Sequence, residues 1–128
     1  MNPHKSKAGL TRIWRAFFHS HRGLRDAWRH EHAFRQELML AVVLAPVIVL
    51  VPVGLLERVA LAAALLLVLI VELLNSAIEA VVDRVSLDRH ELSGRAKDMA
   101  SAAVMLSLVL AGGTWIAVLF PVVRSLLS

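Results

Sequence analysis

Two carboxylates, Glu72 and Glu79, stand inside a stretch from Val59 to Val82 that is otherwise almost wholly apolar. An acid at depth in hydrocarbon costs about 2.5–3.5 kcal/mol on insertion scales, so an intramembrane acid is a functional residue by default. Glu72 and Glu79 are seven positions apart, which sets them on one helix face, two turns and about 10 Å from each other. Asn75 and Ser76 fall between them on that face, and Asp83 extends the polar stripe. Leu69, Ile70, Leu73, Leu74 and Val81 make the opposite flank apolar. One reading of the stripe is interhelical glue, for which Asn75 and Ser76 suffice. The chemical reading makes the deeper Glu72 a general base and the shallower Glu79 a ligand for a divalent cation bound through oxygen. Such a cation needs a second carboxylate, and Glu31 is the candidate, where the N-terminal segment meets the first apolar run. The triplet His30-Glu31-His32 is a poor zinc site, because i and i+2 side chains diverge on a helix and the chain has no cysteine.

A second chemical segment follows, Asp88-Arg89-His90-Glu91-Leu92-Ser93-Gly94-Arg95-Ala96-Lys97-Asp98. Its cations suit phosphate oxygens, and its acids suit orienting those cations or a metal. A solvated charged loop is the plainer alternative. No G-x-x-x-x-G-K-[ST] and no G-x-G-x-x-G is present, so a nucleotide here would be held by another construction. Ser93-Gly94 reads as a turn before the last span.

These residues need scaffolding that lies in lipid. Of 128 residues, 58% are hydrophobic and 19% charged, which excludes a water-soluble globule of this size and excludes disorder. Leu38–Leu56 and Met99–Val123 contain no charge, and each is long enough to span a bilayer. With the acid-bearing stretch between them, the expected fold is all-α and integral to the membrane. It has an N-terminal amphipathic surface helix over 5–29 and spans over 31–52, 55–83 and 98–123, with a loop over 84–97. Pro52-Val53-Gly54 supplies the turn of the first hairpin. On the surface segment, Leu10, Ile13, Trp14, Phe17, Leu24 and Trp28 recur at helical spacing, flanked by arginines, and Gly23 is a candidate bend. Residues 1–37 carry eight Lys and Arg and residues 83–98 four, against one each at Arg58 and Arg124. The positive-inside rule therefore puts the N-terminus and the 83–98 segment on the cytoplasmic side.

The sequence from Glu72 to Met99, ELLNSAIEAVVDRVSLDRHELSGRAKDM, closely resembles the prokaryotic diacylglycerol kinase family of small integral-membrane lipid kinases, in its enterobacterial type. Thr11-Arg12-Ile13, Gly23-Leu24-Arg25, Ala27-Trp28 and Ala33-Phe34-Arg35-Gln36-Glu37 carry the resemblance upstream. It implies a homotrimer in the bacterial inner membrane that transfers the γ-phosphate of MgATP to the primary hydroxyl of diacylglycerol, giving phosphatidic acid. By motif, Glu72 is the implied general base, and Glu31 and Glu79 are the implied ligands of the Mg²⁺ that travels with ATP. The implied ATP-binding set adds Arg12, His19, Asp88, Arg89, His90, Lys97 and Asp98. The implied lipid-binding set is Arg12, Ala33, Phe34, Arg35, Gln36, Glu37 and Glu72, with Ser101 and Trp115. Asn75 is the implied supporting polar group.

The sequence departs from the family pattern at His19, where the family has an aromatic hydroxyl residue, and at Phe17, which replaces a small one. Pro46 and Pro52 are further departures, and Pro46 predicts a kink in the first span. The same catalytic residues would serve undecaprenol as acceptor. A non-enzymatic oligomeric pathway for protons or cations lined by Glu72 and Glu79 is the alternative of a different class, and it leaves Lys97, Asp98 and Glu31 without a role. A polybasic adaptor using residues 1–37 alone is another. Gly112 and Gly113 permit close packing in the last span.

Overall fold

The computed structural model describes residues 3–85 and 87–128, with side chains from residue 8 onward. Every regular element among the described residues is a helix: α1 Pro3–His30, α2 His32–Leu50, α3 Leu55–Val85 and α4 Glu91–Leu127. The chain divides into two compact units, residues 1–32 and 33–128. The helices α2, α3 and α4 are each long and apolar enough to cross a membrane. Most of their large apolar side chains face outward, among them Leu50, Leu56, Leu66, Leu106 and Ile116. An outward apolar surface of this extent is stable against lipid or another protein surface, not against water.

The first unit is α1, unbroken through Gly23, so the bend expected there is absent. Without a β-branched run or an internal proline, its residues sustain helix. Trp14, Phe17 and Phe18 are exposed and touch one another, with ring centroids 5.2 Å apart for Trp14–Phe18 and 6.3 Å for the other two pairs.

In the second unit, α3 and α4 are the closely packed pair. The buried residues of α3 are Leu61, Ala64, Val68, Glu72 and Ser76, spaced by three and four, so they form one stripe. The buried residues of α4 are Ala100, Ser107 and Ala111. Alanine and serine on facing stripes let the two backbones approach closely. Ala64, Val68 and Ala111 meet directly, and Trp115 packs against them. The indole N–H of Trp115 donates to the Leu61 carbonyl at 3.1 Å, which keeps the indole from being a buried unpaired donor. Together with Lys97 opposite Asp83, these pairs make α3 and α4 an antiparallel hairpin. A Cβ on Gly112 or Gly113 would meet nothing within 4 Å in the chain, so neither glycine makes this contact.

Helix α2 continues through Pro46 and ends at Leu50. Its C-terminal carbonyls have no intrahelical donors, and Arg58, four residues into α3, supplies them. The guanidinium donates to the carbonyls of Ile48, of Val49 at 2.8 Å, and of Val51 and Val53 at 3.1 Å each. A planar fork of five N–H groups can do this where an ammonium cannot. Arg58, which with Glu57 makes a short polar break between apolar stretches of the sequence, is therefore the clasp of the α2–α3 turn.

The polar segment after α3 is shorter than expected. Helix α4 begins at Glu91, so residues 91–97 are helical, and Ser93-Gly94 lies within the first turns of the helix, not in a turn before it. The reason is a cap: His90 has extended backbone, φ −136° and ψ 139°, and its Nδ1 accepts from the Leu92 N–H at 3.1 Å. With 37 residues, α4 is about 55 Å long and exceeds a hydrocarbon core of about 30 Å, so it is long enough to cross one with its charged first two turns outside.

Arg58→Ala removes the donor of the Ile48, Val49 and Val53 carbonyls, while the Val51 carbonyl keeps the Val53 N–H. The substitution should lower stability against denaturant in mixed micelles by about 1.5–3 kcal/mol, and Arg58→Lys should recover less than half of that. Ala111→Leu should force α3 from α4 and cost about 1–3 kcal/mol in the same assay, with the fluorescence of Trp115 shifting to the red.

Candidate functional site

Packing of α4 on α3 removes Glu72 and Ser76 from the surface, with 5% and 8% of their area exposed. Asn75 and Glu79, on the same stripe, are half-buried. A second carboxylate faces this region from the first turns of α2: Glu37 is half-buried and is an electrostatic neighbour of Glu72. Two acids that repel each other favour a nearby cation or polar ligand. Three oxygens here, Glu37 Oε2, Asn75 Oδ1 and Ser76 Oγ, are buried with no hydrogen-bond partner among the described residues. Each such group left unpaired costs about 1–3 kcal/mol. Three on adjoining elements mark a place suited to a polar ligand.

Beside them lies a cavity of about 300 Å³ between α2 and the α3–α4 pair, whose wall is apolar apart from the Glu37 carboxyl. Leu40 and Leu44 from α2, Leu65 and Val68 from α3, and Leu108 and Trp115 from α4 line it. Its chemistry is that of a slot for a chain carrying one polar group at the Glu37 end.

The charged end of the hairpin has a separate, open pocket of about 560 Å³. Asp88, Arg89 and His90 line it, with Asp83 from α3 and Glu91, Ser93 and Lys97 from α4. Lys97 Nζ donates to Asp83 Oδ1 at 2.7 Å, and Glu79 also acts on the ammonium electrostatically. The acid stripe of α3 thus runs from buried Glu72 through Glu79 to Asp83, and meets a cation of α4 at its exposed end. Asp98 and Ser101 are exposed on α4 near this end.

The remaining residues singled out in the sequence distribute as follows. Ala33, Phe34, Arg35 and Gln36 form the first turns of α2 with Glu37, and Phe34 is buried at 3% exposure. Arg12 and His19 belong to the first unit, where they line one face of α1 with Thr11 and Arg15. Glu31 occupies the break between α1 and α2, its N–H donating to the Ala27 carbonyl at 2.9 Å. His90, read from sequence as a nucleotide contact, has its Nδ1 engaged as the α4 cap. Asp83 was legible as part of the stripe, but its pairing with Lys97 was not.

A hard divalent cation fits the oxygen donors present. No group of three or more His, Cys, Asp or Glu able to hold a metal exists among the described residues. Mg²⁺ does not need one, since it is commonly held by one or two carboxylates and by substrate phosphates.

Comparison with known proteins agrees with this chemistry. The family model for prokaryotic diacylglycerol kinase matches residues 18–119. The diacylglycerol kinase of Escherichia coli (strain K12) is 56% identical over 108 residues, covering 84% of this chain and 88% of the relative. That of Pseudomonas aeruginosa is 52% identical over 118 residues, covering 92% and 96%. That of Haemophilus influenzae is 44% identical over 112 residues, covering 88% and 95%. A match over most of the chain at such identity settles its kinship: the chain belongs to the prokaryotic diacylglycerol kinase family.

Proposed function

We propose that this chain is a lipid kinase that transfers the γ-phosphate of MgATP to the primary hydroxyl of diacylglycerol and releases phosphatidic acid and ADP. The observation that carries the reading is the acid stripe of α3, with a buried carboxylate at one end and a phosphate-suited cation, Lys97, at the other. The names of the relatives supply the acceptor.

In this mechanism Glu72 is the general base. It takes the proton as the lipid O–H bond breaks, while the oxygen bonds to the γ-phosphorus and the bond from that phosphorus to the β–γ bridging oxygen breaks. Glu72 does this from a site that excludes water, which prevents wasteful hydrolysis of ATP. Asn75 holds the acceptor or a phosphate oxygen through its amide, and Glu37 positions the glycerol end of the lipid through its own carboxyl. Lys97, with Arg89 and Arg12, neutralises phosphate charge, and Asp98 orients these cations. Asp88, His90 and His19 contact the nucleoside end. Glu79 and Glu31 each supply a carboxylate to the Mg²⁺ of MgATP, which when bound neutralises the β- and γ-phosphates. Positioning and electrostatics supply the catalysis, since phosphoryl transfer of this kind needs no covalent enzyme intermediate.

The apolar cavity beside Glu37 supports the lipid assignment. Phe34, Trp115 and the leucines of α2 would hold the acyl chains, and Ala33, Arg35, Gln36 and Ser101 the headgroup region. The outward aromatic cluster of α1 and its arginines suit an amphipathic helix in the membrane interface. In this reading the protein belongs to the bacterial inner membrane, and the distribution of Lys and Arg supports a cytoplasmic N-terminus and 83–98 segment. A homotrimer would cover much of the outward apolar surface of the three spans.

Labelled phosphate transfer from MgATP in mixed micelles, with diacylglycerol and undecaprenol offered in parallel, tests the reading. Diacylglycerol should be phosphorylated in preference. Glu72→Gln, purified in the same oligomeric state, should lose about 10²–10⁴-fold in kcat, the range of general-base catalysis. Preference for undecaprenol would replace the acceptor and keep the mechanism. Full activity of Glu72→Gln would remove the base assignment.

A further inference from the structure

We infer that Asp83 is a positioning residue that holds the Lys97 ammonium in the nucleotide-free protein and hands it to a phosphate oxygen when MgATP enters. The inference rests on the role proposed above for Lys97 and goes beyond it, because it assigns Asp83 a competitor's part. Lys97 Nζ lies 2.7 Å from Asp83 Oδ1, within the range of a charge-assisted hydrogen bond. The two residues come from facing helices and line the same open pocket. Their side chains are 44% and 50% exposed, so water reaches the pair and the bond exchanges readily. A carboxylate oxygen here occupies the kind of place a phosphate oxygen would take on the same ammonium.

The charge of the pocket gives the direction of the effect. Its acids are Asp83, Asp88 and Glu91, and its permanent cations are Arg89 and Lys97. Acids outnumber cations among these residues, so they disfavour a free polyanion by themselves, and Asp83 also occupies one of the two cations. Glu79, one turn up α3 from Asp83, adds its field to Lys97 from the deeper side. Lys97 is thereby the counter-ion of the exposed end of the acid stripe until nucleotide arrives. MgATP brings phosphate oxygens for Lys97, and its metal relieves the negative charge that the ammonium leaves behind. Asp83 keeps the lysine extended across the hairpin, ready within the pocket, at the expense of nucleotide affinity.

The full-length protein in micelles tests this with two readouts. Lysine acylation by an activated acetate ester, resolved by peptide mass spectrometry, measures how firmly the ammonium is held, since only the neutral amine reacts. The chain has three lysines, so Lys5 and Lys7 serve as internal references for Lys97. Asp83→Asn should speed Lys97 acylation relative to both, MgATP should slow it again, and the KM for MgATP should fall about two- to fivefold. Asp83→Ser should do the same, and serves if the asparagine variant does not assemble. Acylation unchanged in both variants, or a KM that rises, overturns the proposal while leaving the kinase reading intact. Acylation that speeds up but ignores MgATP overturns both the handover and the phosphate role of Lys97. Failure of the unmodified protein to phosphorylate either lipid overturns the kinase reading itself, whatever the acylation result.

Discussion

Close approach of α3 and α4 through alanine and serine removes Glu72 from solvent, and the rest of the site is arranged around that burial. Ala64, Ala100, Ser107 and Ala111 add little side-chain bulk, so the backbones come near and the α3 stripe from Leu61 to Ser76 is covered. A larger residue on either stripe would separate the helices and let water or lipid reach the carboxylate. Trp115 reinforces the same approach from its far end, because its N–H is satisfied only when Leu61 is beside it. A buried acid is tolerated in lipid when protein surrounds it, and here the hairpin does so.

The two ends of the hairpin differ in what holds them. Toward residue 61 the contact is apolar, with Ala64, Val68 and Ala111 in touch and Trp115 closing over them. Toward residue 83 the contact is an exposed ion pair, which exchanges easily and is weakened by salt. A rigid apolar end and a labile charged end suit a site that must hold a base in place while admitting a charged substrate. Glu72, the proposed base, is buried between the two ends, and Lys97 lies at the exposed margin. The outer turn of α2 and α3 is fixed separately by Arg58, so the wall of the apolar cavity does not depend on the charged end.

Glu37 connects these parts. It is on α2, faces Glu72 on α3 and forms the polar end of a cavity otherwise lined by leucine, valine and tryptophan. The orphaned oxygens of Glu37, Asn75 and Ser76 are concentrated at this junction. A ligand that is apolar along its length and polar at one end would fill the slot and meet the Glu37 oxygen, which is the chemistry of a lipid alcohol.

Periodicity and charge in the chain were enough to foresee an all-helical protein with three membrane-capable helices, because hydrocarbon demands long uncharged runs and these are visible residue by residue. The stripe of Glu72, Asn75, Ser76 and Glu79 was equally legible, since a period of 3.6 places those residues on one face without reference to any other helix. The long motif from Glu72 to Met99 also carried the family. What tertiary structure alone decided are contacts between residues far apart in sequence. The indole of Trp115 reaches Leu61, 54 positions away, and Lys97 reaches Asp83, 14 positions away. Arg58 reads as half of a short polar break with Glu57 until the backbone folds back and offers it four carbonyls. The start of α4 at Glu91 was hidden for a different, local reason: charge density suggests loop, but the His90 side chain caps the Leu92 N–H and helix-forming residues carry the helix through the charged segment. Spacing along one helix is a local property and can be read directly, whereas a partner across two helices depends on their register, which packing sets.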